Sequence, residues 1–206
     1  KEGHGLRISL TTLNAGRLAI PAMSAGSAKW ATKIAREWAG VRYSFGRPVG
    51  KQGAVAEKLS FMAATSFALD AMQEITALMN DEGRNDIRIE SAIAKLYATE
   101  MSYKVLDELV QVRGGRGYET AESLQARGER AVPAEQVLRD SRINRIFEGS
   151  TEVMRLLLAR EATDQHLSVA GDIIDPEADL QAKGKAAVAA AGFYSTWLPK
   201  LAVGKG

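Results

Sequence analysis

The chain has 206 residues, 46% of them hydrophobic and 25% charged, with a formal net charge of +2 and no cysteine. This is a globular composition, long enough to bury a substantial core, and it excludes a disulfide scaffold, thiolate metal sites and a cysteine nucleophile. The small net charge makes no case for nucleic acid, and two histidines near opposite ends, His4 and His166, give no reason to expect a metal centre.

No apolar run reaches the roughly 18 residues that a membrane-spanning helix needs, so no transmembrane segment is expected. The start, Lys1-Glu-Gly-His-Gly5, has no signal-peptide character. With the absence of cysteine, this points to a cytoplasmic setting. The start also lacks Met and reads as the interior of a longer chain.

From about Leu10 to Phe45 the pattern is helical, with Ile20, Met23, Trp30, Ile34, Trp38 and Val41 at spacings of three, four and seven. Gly16, Ala19, Ala22, Ala25, Gly26 and Ala28 fill the gaps and permit close approach of a second helix. Pro21 removes one backbone donor and predicts a kink, and Gly46-Arg-Pro48 predicts the end. A second helix is expected over about Gly53–Asn80, apolar around most of its circumference and therefore buried on more than one side. After the turn Asp81-Glu-Gly83, a third runs from about Ile87 to Val112. Its apolar stripe is Ile89, Ile93, Leu96, Tyr97, Met101, Leu106, Leu109 and Val110. Residues 118–132 read as polar and irregular. Pro133 opens a short helix to about Arg145, a further helix follows Gly149, and Asp175-Pro176 marks a joint. An alanine-rich helix then spans about Glu177–Gly192. No segment shows sustained strand alternation. The fold class is all-α: an antiparallel bundle of long helices with a helical C-terminal extension.

One stretch suggests chemistry. In Arg139-Asp-Ser-Arg-Ile-Asn-Arg-Ile-Phe-Glu-Gly-Ser-Thr-Glu-Val-Met-Arg155, Glu148 stands directly before a glycine and two hydroxyl residues, where a new helix begins. A carboxylate at such a junction can reach into a pocket while the backbone N–H groups of the next helix point the same way. That arrangement suits removal of a proton beside a carbonyl. The same residues also suit an ordinary capped helix start.

Four separate stretches resemble one family, the flavin-dependent acyl-CoA dehydrogenases, in their C-terminal helical domain. They are Leu13-Asn-Ala-Gly-Arg17, Arg42-Tyr-Ser-Phe-Gly-Arg-Pro48, Val110-Gln-Val-Arg-Gly-Gly-Arg-Gly-Tyr118, and Arg139-Asp-Ser-Arg-Ile143 leading into Phe147-Glu-Gly-Ser-Thr-Glu152. The closest likeness is to the larger, very-long-chain branch. The resemblance implies residues 1–8 as a linker from an upstream β-domain, 9–166 as the bundle and 167–206 as the start of an extension. It implies a fragment of a longer enzyme, inactive by itself, that lacks the domains covering much of the flavin and the CoA.

The implied reaction is α,β-dehydrogenation of a fatty acyl-CoA thioester, of long chain by branch resemblance, to the trans-2-enoyl-CoA. The implied cofactor is FAD, the implied electron acceptor an electron-transfer flavoprotein, and the implied assembly a homodimer or homotetramer. By position Glu148 matches the general base, and in the family the backbone N–H of that residue also donates to the thioester oxygen. Some branches carry the base just before the arginine of the first motif, where this chain has Gly16. Arg42, Ser44, Phe45, Val49 and Gln52 match residues around the adenine-diphosphate half of the neighbouring subunit's FAD, although Ser44 and Gln52 replace the family's usual types. Gln111, Val112, Gly114 and Gly115 match the glycine turn that meets the same FAD. Ser150 and Glu152 match positions beside the subunit's own FAD. Asn14, Arg17, Phe147 and Gly149 match substrate positions. No metal ligand is implied.

Two other readings stay open from sequence: an acyl-CoA oxidase, in which O2 reoxidises the flavin, and a non-catalytic helical oligomerisation module. The stretch Glu119–Arg130 is longer than the usual family loop and reads as a substrate-entrance or dimer-edge element, or as a solvated insertion.

Overall fold

The computed structural model describes residue 3 and residues 5–83 and 87–203, apart from the side chains of residues 6–15. In chain order it contains α1 (Gly5–Val41), a hairpin of β1 (Tyr43–Ser44) and β2 (Arg47–Pro48), a 3₁₀ turn (Val49–Lys51), α2 (Gly53–Glu82) and α3 (Arg88–Arg113). Then come α4 (Gly115–Tyr118), α5 (Ala121–Ala126), α6 (Ala134–Ser141), a second 3₁₀ turn (Arg142–Arg145), α7 (Thr151–Ile174) and α8 (Leu180–Ala202). The all-α class read from the sequence holds. The chain divides into two compact units, Lys1–Arg155 and Leu156–Gly206. Among the described residues no helix is long and apolar enough to cross a membrane.

In the first unit α1, α2 and α3 pack on one another, α1 most extensively on α3. The reason is the alanine face of α1. Ala25, Ala28, Ala31, Ala35 and Ala39 are buried with Ile34, in one cluster with Met62 and Leu69 of α2 and Ala98, Val105, Leu106 and Leu109 of α3. Small side chains let the helix backbones approach closely and still fill space at interior density. Thr32 ties α1 to α2, its hydroxyl lying 2.9 Å from that of Ser66.

Of the expected apolar stripes, Ile20 and Ile34 of α1 and Leu106 and Leu109 of α3 are buried, but other members are not. Met23 and Val41 of α1 are exposed, as are Ile89, Ile93 and Tyr97 of α3. The buried positions in the first half of α3 are instead Ser91, Ala92, Ala94, Lys95, Ala98 and Thr99.

Several boundaries also differ. α1 stops at Val41, not Phe45, because the two-residue turn Phe45-Gly46 closes a hairpin in which Tyr43 pairs with Pro48 and Ser44 with Arg47. Both turn residues have positive φ, 52° and 75°, the geometry such turns need. Pro21 lies within α1 without interrupting it. The stretch read as irregular contains α5, capped where the Thr120 hydroxyl accepts from the Ser123 N–H at 3.2 Å. α8 begins at Leu180, capped by Asp179, and runs through Gly192 and Pro199 to Ala202. In the second unit, His166 of α7 lies among Phe193, Tyr194 and Trp197 of α8, its Nδ1 2.9 Å from the Tyr194 hydroxyl.

Candidate active site

Glu148 sits on the turn before α7, and its own backbone is left-handed, with φ 53°, followed by Gly149 at φ 99°. A non-glycine residue in that region costs on the order of 1–3 kcal/mol and persists only where its surroundings hold it. The φ of Gly149 favours glycine, and a Cβ there would also force the Met154 methyl to shift. The Glu148 carboxylate packs directly on Gly16 of α1. An ideal Cβ at Gly16 would overlap the carboxylate itself, so any larger residue would displace the Glu148 side chain from this place. The Glu148 Oε2 is buried and accepts no hydrogen bond among the described residues. A buried acceptor without a partner is costly, and its place in a fold needs an explanation. Arg17, next to Gly16, is 8% exposed, and its Nε is likewise buried without a partner among the described residues. The side chain of Asn14 lies outside the described residues.

Two side chains of α3 grip this turn, and neither was singled out from sequence. Lys95, fully buried, donates from Nζ to the Gly149 carbonyl at 2.6 Å. Burial pushes the Lys95 amine below the ordinary lysine range. Glu148 opposes that shift, Arg17 adds to it, and Glu100 opposes it. Glu100 Oε1 accepts from Arg145 Nε at 2.8 Å and from the Thr151 hydroxyl at 2.6 Å, spanning both sides of the turn. Burial alone would raise the Glu100 carboxyl. The hydrogen bonds from Arg145 and Thr151 outweigh it and hold the carboxyl below the usual range. Arg145 also lies over the Tyr103 ring, 5.0 Å from its centroid. The one signal in the sequence was the company these residues keep: a lysine and a glutamate on a helix face otherwise made of Ser91, Ala92, Ala94, Ala98, Thr99 and Ser102.

The other candidates on this turn are accounted for locally. The Ser150 hydroxyl faces the Val153 N–H at 3.4 Å, at the start of α7. Glu152 is held below the usual carboxyl range by its own backbone N–H and then by Ser150. Phe147 is 38% exposed.

A second set of candidates gathers elsewhere in the same unit. Arg42, Ser44, Val49, Gln111, Val112, Gly114 and Gly115 line one cleft of about 440 Å³, together with Trp38, Lys58, Arg113 and Arg116. Added Cβ atoms at Gly114 and Gly115 would meet nothing within 4 Å, so backbone borders open space there. Arg113 is 7% exposed, stacks over Trp38 at 4.9 Å, and leaves its Nε buried without a partner. Lys58 and Arg116 are neutralised by Glu108 and Glu129. Gln52 does not line the cleft; its amide donates to the Ser44 carbonyl at 3.3 Å and braces the hairpin. Phe45, at the hairpin tip, is 94% exposed. An exposed aromatic held at φ 52° is strained with no interior contact to repay it.

The long loop is not a loose surface insertion. Leu124 of α5 is fully buried, Arg116 and Arg127 interlock with Glu119 and Glu129, and Arg130 reaches Glu37 of α1 at 2.8 Å. Arg139 pairs with Glu135 and Gln136 of its own helix.

Comparison with known proteins gives a consistent picture. Residues 3–163 match the family described as "Acyl-CoA dehydrogenase, C-terminal domain". The chain is 65% identical over all 206 residues to the probable acyl-CoA dehydrogenase FadE10 of Mycobacterium tuberculosis, and it spans 32% of that protein's length. It is 34% identical over 157 residues to the mitochondrial very long-chain specific acyl-CoA dehydrogenase of Bos taurus, covering 76% of this chain and 22% of that protein. Among solved structures it resembles an acyl-CoA dehydrogenase from Bacillus anthracis complexed with FAD. That match has a TM-score of 0.67 and 30% identity, and covers 81% of this chain and 31% of that one.

Proposed function

Because the chain belongs to the acyl-CoA dehydrogenase family, by way of that family's C-terminal domain, we propose that it supplies the base for α,β-dehydrogenation of a fatty acyl-CoA thioester, and that the base is Glu148. The observation that carries this is the Glu148 carboxylate: packed against Gly16, with one buried oxygen accepting no hydrogen bond among the described residues. A buried, unspent acceptor on a rigid turn is what abstraction of a weakly acidic α-proton requires. The proton passes from the α-carbon to the Glu148 carboxylate. As charge develops on the thioester oxygen, the Glu148 N–H donates to it, so one residue acts at two atoms. The left-handed turn serves both roles, because it sets the direction of the N–H and of the side chain together.

FAD, when bound, supplies the acceptor for the hydride leaving the β-carbon, and the product is the trans-2-enoyl-CoA. The cleft beside Trp38 fits the adenosine-diphosphate half of an FAD from a second subunit. Arg42 would meet the pyrophosphate, and Gly114 and Gly115 would allow close approach. Association of copies is supported by an apolar groove of about 380 Å³ between α2 and α3, formed by Met72, Ile75, Met79 and Ile93. The likeness to the very long-chain relative supports a long acyl chain, and an electron-transfer flavoprotein as electron acceptor follows from the family.

The test is anaerobic bleaching of the flavin in the whole protein by a long-chain acyl-CoA, with Glu148→Gln beside the wild type. Flavin reduction should slow by at least about 10²-fold in the variant with FAD retained. Equal bleaching in both would place the base elsewhere.

A further inference from the structure

Lysine is almost never fully buried unless it has a compensating partner, because taking an ammonium out of water is expensive. Lys95 is 0% exposed in the middle of α3. Its hydrogen bond goes to a neutral backbone carbonyl, that of Gly149, at 2.6 Å. A methionine of similar length would fill the same space without the desolvation cost. What the ammonium adds is therefore the grip on that carbonyl and a positive charge close to Glu148 and Glu100, with Arg17 opposing.

The carbonyl it grips is the one that follows the base. Glu148 sits at φ 53° and Gly149 at φ 99°, a pair of conformations that the local sequence does not favour for glutamate. Glu100 holds Arg145, three residues before Glu148, and Thr151, three after. Between those two anchors the turn is fixed at its centre by Lys95. We propose that Lys95 is the positioning residue of the base: by holding the Gly149 carbonyl it keeps the turn left-handed, with the Glu148 carboxylate against Gly16 and the Glu148 N–H directed at the substrate oxygen. Lys95 touches no reacting atom; it acts through the backbone of Gly149 and Glu148. The inference rests on Glu148 being the base.

The test uses the FAD-loaded whole protein with Lys95→Met, which removes the donor and the charge, and Lys95→Gln, which keeps a shorter donor. Three quantities are read: the rate of flavin bleaching at saturating acyl-CoA, the acyl-CoA concentration giving half that rate, and the absorbance shift of a bound chromophoric enoyl thioester. The last reports polarisation of the thioester carbonyl by the Glu148 N–H and needs no turnover. A misplacement of about 1 Å costs on the order of 10²-fold, so Lys95→Met should slow bleaching by about that factor and Lys95→Gln by about tenfold. The half-saturating concentration should stay close to wild type, and the absorbance shift should shrink in the same order. Wild-type rate and shift in Lys95→Met overturn the proposal. So does a loss that only tracks lost FAD or raised half-saturation, which is the mark of a general packing role. If Lys95→Met does not fold, wild-type rate and shift in Lys95→Gln overturn it, and failure of both variants to retain FAD assigns Lys95 to folding instead. Normal bleaching in Glu148→Gln would sink the base assignment and this proposal together. A dead Glu148→Gln beside a normal Lys95→Met would sink this proposal alone.

Discussion

Gly16 and Glu148 lie 132 positions apart in the sequence, and one exists for the other. A Cβ on Gly16 would overlap the Glu148 carboxylate, yet the site is an ordinary helical position of α1. Alanine is worth about 1 kcal/mol more than glycine inside a helix. Gly16→Ala should therefore leave the melting temperature of the whole protein near wild type while slowing acyl-CoA-dependent flavin bleaching by about 10²-fold, through displacement of the base. Unchanged bleaching would mean that the carboxylate has room to move without loss. Glu100 makes a different prediction. Its carboxyl is held below the ordinary range by Arg145 and Thr151, so the stabilisation is present above the unfolded value and fades as pH falls through the folded one. The gap in melting temperature between wild type and Glu100→Gln should be widest near neutrality and close below about pH 4. A gap that persisted in acid would show that charge at Glu100 is not what stabilises the turn. At this site the sequence shows the Glu148 junction as a carboxylate, a glycine and two hydroxyls in a row, which an ordinary capped helix start suits as well; its role as base came from the family resemblance. Lys95 and Glu100 were harder to find, because their one signal, a helix face otherwise made of small residues, tells a buried charge from a solvated one only once the packing partner is known.

At the scale of elements, the length and order of α2 and α3 follow directly from hydrophobic periodicity, but the faces they bury do not. Periodicity weights large residues, and the α1–α3 contact is made of small ones. Ile89, Ile93 and Tyr97 form the more hydrophobic stripe and lie exposed, while Ala92, Ala94 and Ala98 are fully buried. The same logic hid α5, whose six residues hold one buried apolar side chain, Leu124, too few to register as a period. The alanine face carries its own test. Ala31 is fully buried within the central cluster, and a leucine there must push the helices apart. Ala31→Leu should lower stability by about 1–3 kcal/mol in denaturant unfolding, although leucine is a good helix former. A neutral or stabilising result would mean that the contact has slack, and that the small residues are not what sets the helix separation.

The two compact units draw on very different cores. Residues 1–155 bury Met62, Leu69, Val105, Leu106, Leu109 and the alanine face of α1 in one continuous cluster. In α8, by contrast, the buried residues are Ala186 and Ala190, each 8% exposed, while Leu180, Val188 and Leu198 stand open. What holds that helix is its Asp179 cap and the ring cluster of His166, Phe193, Tyr194 and Trp197. A cap contributes about 1 kcal/mol and an aromatic pair about 0.5–1.5 kcal/mol, well short of what a packed core supplies. Local opening follows local burial. Amide hydrogen exchange in this chain should therefore show α8 exchanging through small openings, with amides of α3 around Leu106 exchanging many orders of magnitude more slowly and only through global unfolding. Trp197→Ala should speed exchange across α8 and leave α3 unchanged. Equal protection of α8 and α3 would mean that the chain opens as one cooperative body, and that the ring cluster, not buried area, sets the stability of the C-terminal helix.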